Sequence, residues 1–181
     1  DAFEIDPLTG RIFTSMQLDR EEQKVYVLTA VAQSDTIPPQ IDRAIVTISI
    51  DDQNDNDPDI LFPSQGNDTM SIASSVPLGH LVATVAATDP DCEDDCRFTY
   101  AITSGADRGE FVIRPNTGEI LVNADLEAYV ETEYVLVVRV SDNGQPERMT
   151  SSSLAILLTK SVVAPQASRA GMALSSTHLA I

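Results

Sequence analysis

The sequence predicts an all-β protein built from antiparallel β-sandwiches, and three features of its 181 residues favour that fold class. Segments rich in β-branched residues alternate apolar and polar side chains, as half-buried strands do. Clusters of Pro, Gly, Asn and Asp separate these segments at short intervals. No stretch of useful length has helical periodicity. With 43% hydrophobic residues the chain can form the core of one large domain or of two small ones.

Six segments are predicted to be strands of roughly 5 to 8 residues. They are residues 24–31, 44–50, 80–88, 98–103, 133–140 and 151–158. The turn signals between them lie at residues 7–10, 38–39, 77–79, 115–118 and 143–144. Short strands with regular turns and few aromatic residues are typical of a sandwich of two antiparallel sheets.

An internal repeat divides the chain into modules. The stretch FEIDPLTGRI at 3–12 returns as FVIRPNTGEI at 111–120, and YVLTAVAQSD at 26–35 returns as YVLVVRVSDN at 134–143, with an offset of 108 residues in both cases. The first copy lacks its front half, which we expect to precede Asp1. We therefore predict the second half of repeat 1 at 1–57, a complete repeat 2 at 58–165, and an unstructured tail at 166–181.

The charge of the chain narrows the range of its partners. The formal net charge is -17 and the pI is near 4.1, so nucleic acid and anionic lipid would be repelled and cations are the natural partners. The acids concentrate in DDQNDNDPD at 51–59, where five aspartates fall within nine positions. A cation is the simplest way to hold so much like charge together.

Several motifs around this stretch resemble those of the cadherin family. DQNDNDP at 52–58 resembles the cadherin linker DxNDNxP, LDRE at 18–21 resembles the family's LDRE, and DPD at 89–91 resembles its DxD. The signature FxIDPxTG occurs at 3–10 and returns at 111–118 with Arg114 in place of the aspartate, and the resemblance covers nearly all of 1–165. It implies immunoglobulin-like Greek-key sandwiches in tandem, the first truncated, of a protocadherin-like or Fat-like rather than a classical type.

The chemistry of calcium agrees with this resemblance, because Ca²⁺ takes 6 to 8 oxygen ligands from several loops. In an extended linker successive side chains point in opposite directions, so Gln53 and Asp55 can face one module while Asn54 and Asn56 face the other. The resemblance implies three calcium ions at the junction. Their ligands would be Asp19, Glu21, Asp52, the Gln53 carbonyl, Asn54, Asp55, the Asn56 carbonyl, Asp89, Asp91, a carbonyl near Asp95, and Asp142.

A solvated linker, an EF-hand loop and a zinc site each fit the acidic stretch less well. A solvated linker is the usual fate of a charge run, but it does not explain the distant acids of LDRE, DPD and SDNG. An EF-hand loop needs Gly at position 6 and Glu at position 12, and loops begun at Asp55 or Asp89 provide neither. A zinc site is disfavoured because the chain has only two thiols and no histidine at ligand-like spacing from them.

The sequence departs from the family pattern in three places. Repeat 1 would carry an early glutamate ligand before Asp1, so this junction is expected to bind calcium more weakly than in a longer parent. In repeat 2 that position holds Ser74, and the next linker, TKSVVAP at 159–165, keeps the proline but no oxygen ligands. Repeat 2 is therefore expected to be the last of its array or to precede a calcium-free joint. Ser34 stands where repeat 2 has Asp142, which weakens the upstream junction in the same way.

Two features suggest an extracellular location. Cys92 and Cys96 flank the acids at 93–95 and could close a short disulfide loop, although two unpaired thiols remain the alternative. Asn67-Asp68-Thr69 is a glycosylation sequon. With the resemblance, these features imply the extracellular portion of a membrane-anchored plasma-membrane glycoprotein.

Catalysis finds no support, because the two histidines lie far apart and no nucleophile arrangement accompanies either. The leading interpretation is a calcium-dependent cell-cell adhesion module, in which Ca²⁺ stiffens the junction and the partner is another cadherin-type ectodomain, of the same or a different kind. No small-molecule substrate is expected. The alternative is a passive, calcium-stiffened spacer in a large receptor or matrix protein. A lectin sandwich would need exposed aromatic residues for sugar stacking, and no such cluster is visible.

Overall fold

The computed structural model describes residues 2–92 and 96–160, which form thirteen β-strands and one short 3-10 helix at Glu127–Tyr129. The strands are β1 Phe3–Ile5, β2 Ile12–Thr14, β3 Val25–Gln33, β4 Ile41–Ser49, β5 Asp59–Phe62, β6 Thr69–Ala73, β7 Leu81–Thr84, β8 Ala86–Thr88, β9 Thr99–Ser104, β10 Phe111–Ile113, β11 Glu119–Val122, β12 Glu133–Ser141 and β13 Met149–Thr159. Across these two ranges, no helix has the length and apolar character needed to cross a bilayer.

Repeat 2 forms a sandwich of facing sheets. One sheet has the order β6-β13-β12-β9, with β6 parallel to β13 and the other pairs antiparallel. The strands β10-β11-β7 and β5-β8 supply the opposing layer. Leu136, Ile156 and Ile120 lie between the layers with no exposed surface. Alternate residues of long strands thus provide the core, and the predicted all-β sandwich is confirmed.

Residues 2–50 repeat part of this structure with the same register. Val25 pairs with Ser49 in the β3-β4 hairpin, and their counterparts 108 positions later, Glu133 and Leu157, pair in β12-β13. The β1-β2 and β10-β11 hairpins match in the same way. An edge-to-face ring contact also recurs, with centroids 5.0 Å apart for Phe3–Tyr26 and 5.2 Å apart for Phe111–Tyr134.

The two copies differ in how well they bury their apolar residues. The described part of repeat 1 contains no counterparts of strands β5 to β9. Ile12 is accordingly 36% exposed, whereas its counterpart Ile120 is fully buried. The inner face of β1 to β4 is therefore only half covered.

The strand predictions were wrong in three respects. The single strand predicted at 80–88 is divided into β7 and β8, because the chain leaves the β11 layer at the buried residue Val85 and pairs with β5 instead. The strand predicted at 44–50 begins three residues earlier, at Ile41. The strands β1, β2, β5, β6, β10 and β11 were not among the six predicted, and most of these have only 3 or 4 residues.

The connections bring the acidic motifs to the junction between the two repeats. The LDRE loop (18–21) joins β2 to β3, the linker (51–58) joins β4 to β5, and the DPD loop (89–91) follows β8. The SDNG loop (141–144) begins the turn between β12 and β13. Antiparallel pairing places the LDRE loop beside the start of the linker, because β3 begins where β4 ends, and the DPD and SDNG loops lie together at the facing end of repeat 2.

Candidate metal centre

The LDRE loop is shaped by the side chain of Asp19. Its Oδ1 accepts hydrogen bonds from the backbone N–H groups of Glu21 at 2.9 Å and Glu22 at 3.1 Å. Such an Asx turn is a local arrangement that Asp adopts readily. It directs Glu21 towards the linker, where Arg20 Nη1 also lies 3.0 Å from Asp52 Oδ1.

Three carboxylates from three different segments converge at the junction. Each of Glu21, Asp55 and Asp91 offers an oxygen, and these oxygens lie within 4.8 Å of one another. Within 2–92 and 96–160, this is the group of three or more His, Cys, Asp or Glu side chains close enough to share a metal ion. The LDRE loop, the linker and the DPD loop each supply one of its members.

The linker alternates between its two neighbours. Gln53 and Asp55 line a cavity beside the LDRE loop. Asn54 and Asn56 are half-buried against repeat 2, and Pro58 is fully buried there. This alternation was predicted for an extended chain, whose successive side chains point in opposite directions.

Asn56 and Asp91 connect the linker to the DPD loop. The backbone N–H of Asn56 donates to Asp91 Oδ2 at 2.8 Å, and its side-chain amide donates to Asp91 Oδ1 at 2.6 Å. Asp89 shapes the DPD loop in turn, because its Oδ1 accepts from the Asp91 N–H at 3.0 Å. The Gln53 carbonyl accepts from the Asp55 N–H at 2.8 Å.

Asn54 connects the linker to the SDNG loop. Its amide nitrogen donates to Asp142 Oδ2 at 2.8 Å and to the Pro146 carbonyl at 2.7 Å. The Asn54 side chain also fills the space in which Gly144 would carry a Cβ atom, so a side chain there would collide with it. Gly144 is thus required by the close approach of the linker.

The pKa values of two of these carboxyl groups are shifted in opposite directions. Burial, reinforced by the negative charges of Asp91, Asp142 and Asp59, raises the pKa of Asp89. Burial acts in the same sense on Asp142, but hydrogen bonds outweigh it and lower its pKa. The donors to Asp142 are the Arg148 N–H, the Asn54 amide and the Gly144 N–H.

The donor set fits a hard divalent cation. All the converging ligands are carboxylate, amide or carbonyl oxygens, the ligands that Ca²⁺ prefers. Two oxygens that each lie about 2.3 to 2.6 Å from one ion can be at most about 5 Å apart, and the 4.8 Å limit observed here meets that condition. The arrangement therefore accommodates Ca²⁺ without a change of ligand type.

Arg148 is a contact residue that the sequence analysis missed. Its Nε donates to the Asn54 carbonyl at 2.9 Å, and its Nη1 lies 2.9 Å from Asp57 Oδ1. The hydrogen bond with Asp57, together with the charges of Asp57, Asp55 and Asp91, raises the pKa of Arg148. One signal was visible in the sequence, because this arginine follows the SDNG loop by four residues in a chain with only 11 Lys and Arg.

Three further predictions concern the surroundings of the junction. Cys92 and Cys96 form a disulfide beside the DPD loop, which removes the alternative of two unpaired thiols. Asp95 lies outside the described residues. Asn67 of the sequon is exposed in a turn closed by Ser64, whose carbonyl accepts from the Asn67 N–H.

The opposite end of repeat 2 keeps the local shape of the LDRE loop but has a different charge pattern. Asp125 Oδ1 accepts from the Glu127 N–H at 2.9 Å, as Asp19 does from Glu21. Lys160, however, occupies the position that Asp52 holds in repeat 1, and its Nζ lies 3.4 Å from Glu131. A positive side chain therefore replaces a carboxylate there.

Comparisons with known proteins agree with this geometry. The cadherin domain family model matches residues 1–51 and 68–159. Mouse Protocadherin Fat 4 is 39% identical over 142 residues, or 78% of this chain, and human Protocadherin-16 is 35% identical over 158 residues, or 86% of this chain. The chain spans only 3% and 5% of the length of these two relatives.

A solved structure gives the same result for the fold. The crystal structure of mouse cadherin-23 EC22-24 superposes with a TM-score of 0.75 at 26% sequence identity, covering 87% of this chain and 50% of that one. The family match includes the hairpins of both copies and the LDRE, DPD and SDNG loops. This chain belongs to the cadherin domain family, whose members are extracellular adhesion-type modules of membrane proteins and not enzymes.

Proposed function

We propose that this chain binds Ca²⁺ where repeat 1 meets repeat 2, and that the bound ions fix the orientation of the two repeats within an adhesion ectodomain. The observation that carries the proposal is the convergence of Glu21, Asp55 and Asp91, whose oxygens lie within 4.8 Å of one another. These residues come from repeat 1, the linker and repeat 2 respectively, so a shared ion would join all three.

The proposed ligand set extends beyond this cluster. It contains the side chains of Asp19, Glu21, Asp52, Asn54, Asp55, Asp89, Asp91 and Asp142, the carbonyls of Gln53 and Asn56, and a carbonyl near Asp95. The cavity lined by Asp52, Asn54, Asp89, Asp91 and Asp142 supports a site on the repeat 2 side. The cavity that Asp19 and Glu21 share with Gln53 and Asp55 supports one on the repeat 1 side.

Electrostatics provides the mechanism. Without a divalent ion, the carboxylates of the LDRE loop, the linker and the DPD loop repel one another and disfavour close contact between the repeats. Bound calcium would supply the positive charge that offsets this repulsion. Extracellular calcium modules have dissociation constants of about 10⁻⁴ to 10⁻³ M, so occupancy should follow the ambient calcium concentration.

Isothermal titration calorimetry of the 181-residue chain with CaCl₂ tests the proposal. Asp55→Asn should lower calcium affinity by about tenfold or more, because one converging carboxylate loses its charge. Asp125→Asn is the matched control, since Asp125 makes the same Asx turn as Asp19 but lies at the other end of repeat 2. Absence of calcium uptake, or equal uptake by wild type and Asp55→Asn, would refute the site.

The wider setting is proposed from the family. The parent is a membrane-anchored ectodomain on the cell surface, the partner is another cadherin-type ectodomain of the same or a different kind, and Asn67 carries a glycan. The exposure of Asn67 supports the last point.

A spacer without adhesive contacts is the second candidate, and the length of the relatives favours it. Because the chain corresponds to 3 to 5% of Protocadherin Fat 4 and Protocadherin-16, a segment of this size is a small part of such an ectodomain. Bead aggregation and sedimentation velocity distinguish the candidates. An adhesive module should associate in calcium and dissociate in chelator, whereas a spacer should remain monomeric in both.

A further inference from the structure

Residues 54–57 are attached to repeat 2 by bonds that need no metal ion. Six described hydrogen bonds join them: two from the Asn54 amide, two from Asn56 to Asp91, and two from the guanidinium of Arg148. The next residue, Pro58, is fully buried. This half of the linker is therefore packed as part of repeat 2.

Arg148 differs from the other described groups that hydrogen-bond to residues 54–57, because its side chain carries a positive charge. Its Nη1 lies 2.9 Å from Asp57, and the charges of Asp55 and Asp91 also act on it. These are the carboxylates whose mutual repulsion would otherwise drive the linker away from repeat 2. An exposed ion pair is weak by itself, but here the same guanidinium also holds the Asn54 carbonyl.

The backbone around Arg148 is fixed before its side chain reaches the linker. Asp142 and Arg148 close the loop between β12 and β13, with the Arg148 N–H donating to Asp142 Oδ1 at 2.9 Å. Repeat 1 closes its own loop in the same way, since the Gln40 N–H donates to Ser34 Oγ at 2.9 Å. Gln40 occupies the position of Arg148 but brings no charge, so the loop geometry does not itself require an arginine.

We propose that Arg148 is a built-in cationic clamp that fastens residues 54–57 to repeat 2 in the absence of calcium. The joint then bends ahead of Asn54, at residues 51–53, and the ions need only fix the orientation of repeat 1. Arg148 is a positioning residue rather than a metal ligand. Because the clamp is measured without calcium, it can succeed or fail independently of the proposed metal site.

Amide hydrogen exchange of the full 181-residue chain in chelator tests the clamp. The reporter is the Asn56 N–H, which donates to Asp91 and has no direct bond to Arg148. In the wild type this amide should be protected, and in Arg148→Gln it should exchange at least about tenfold faster. Asp57→Ala removes the same ion pair by deleting its more exposed partner, and it should also accelerate exchange of the Asn56 amide.

Two controls keep the result interpretable. Arg114→Gln breaks another arginine–carboxylate pair of repeat 2, Arg114–Glu119 at 2.6 Å, and should leave Asn56 exchange unchanged. The amides of Leu136 and Leu154 in the β12-β13 core report on folding. If the Leu136 and Leu154 amides also exchange faster in Arg148→Gln, that variant has lost its fold, and Asp57→Ala becomes the informative variant. An unprotected Asn56 in the wild type, or equal Asn56 exchange in the wild type and in the informative variant, would overturn the clamp.

Discussion

Asp89 is the carboxyl group at which burial and like charge act together. It is 4% exposed, and its pKa is raised by burial and by Asp91, Asp142 and Asp59. Because folding raises this pKa, the ionised carboxylate disfavours the folded state. The penalty is complete above the folded pKa and disappears as the pH falls through it towards the ordinary value of 3.8.

Asp89→Asn should therefore stabilise the chain in chelator at pH 7, raising the melting temperature by a few degrees. The amide oxygen can still accept from the Asp91 N–H, so the loop is preserved. The gap from wild type should narrow as the pH falls through the raised pKa of Asp89 in the folded state. In saturating calcium the order should reverse, because the variant has lost a proposed ligand. Thermal melts followed by circular dichroism measure both effects, and a lower melting temperature of Asp89→Asn in chelator would contradict this account.

At the scale of elements, the paired hairpins β3-β4 and β12-β13 show what covering a sheet contributes. They share a register, but Leu136 is fully buried whereas Leu28, its counterpart in β3, is half-buried. The difference arises because β5 to β9 complete the sandwich of repeat 2, whereas the described residues of repeat 1 include no equivalent strands. The same apolar pattern thus yields two different degrees of burial.

Leu136→Ala should lower the free energy of unfolding by about 2 to 5 kcal/mol, the usual cost of a cavity in a closed core. Leu28→Ala is the matched control and should cost about 1 kcal/mol or less, because solvent already reaches its site. Urea unfolding in chelator, followed by circular dichroism, measures both values. Equal costs would mean that Leu28 lies in a core as closed as that of Leu136.

The long hairpins were predictable because a nine-residue strand is long enough for its alternation of apolar and polar residues to be recognised. The repeat adds to this signal, since Tyr26 and Tyr134 occupy equivalent positions in β3 and β12. The three-residue strands β1, β2 and β10 are too short for periodicity to identify, and only the repeated FxIxPxTG stretch marks them. The division at Val85 was not predictable either, since a strand that changes sheets keeps its β-branched composition. Tertiary packing decides where such a strand divides.

The junction was predictable to a similar extent. The LDRE, DxNDN and DxD motifs indicated which acids would meet, and Glu21, Asp55 and Asp91 do converge. The contact of Arg148 with Asn54 spans 94 residues and follows from the folded path of the SDNG loop. The place of Arg148 four residues after this loop was visible in the sequence, but it does not indicate which residue the arginine contacts. The tight fit of Gly144 against Asn54 was hidden for the same reason.

At the scale of the whole molecule, the net charge of -17 acts on every part of the chain. Self-repulsion of this size destabilises compact states, and salt screens it. Raising the ionic strength from about 0.01 to 0.15 M shortens the Debye length from about 30 to 8 Å. Distant carboxylates then cease to repel, whereas the converging acids of the junction remain close enough to interact.

The melting temperature in chelator should therefore rise with salt, and the rise should be smaller in saturating calcium. Choline chloride is the control for NaCl, because its bulky cation screens charge but fits poorly among clustered carboxylates. Differential scanning calorimetry measures the effect. A melting temperature in chelator that does not depend on salt would show that long-range repulsion is unimportant for this fold.

The parallel pairing of β6 with β13 has a mechanical consequence. β6 lies near the start of repeat 2 and β13 near its end, and five register pairs, from Thr69–Ala155 to Ala73–Thr159, join them. When the two ends of the repeat are pulled apart, parallel neighbours are loaded in shear, so these pairs share the tension and must give way together. The geometry that closes the sandwich therefore also makes repeat 2 a tension-bearing link.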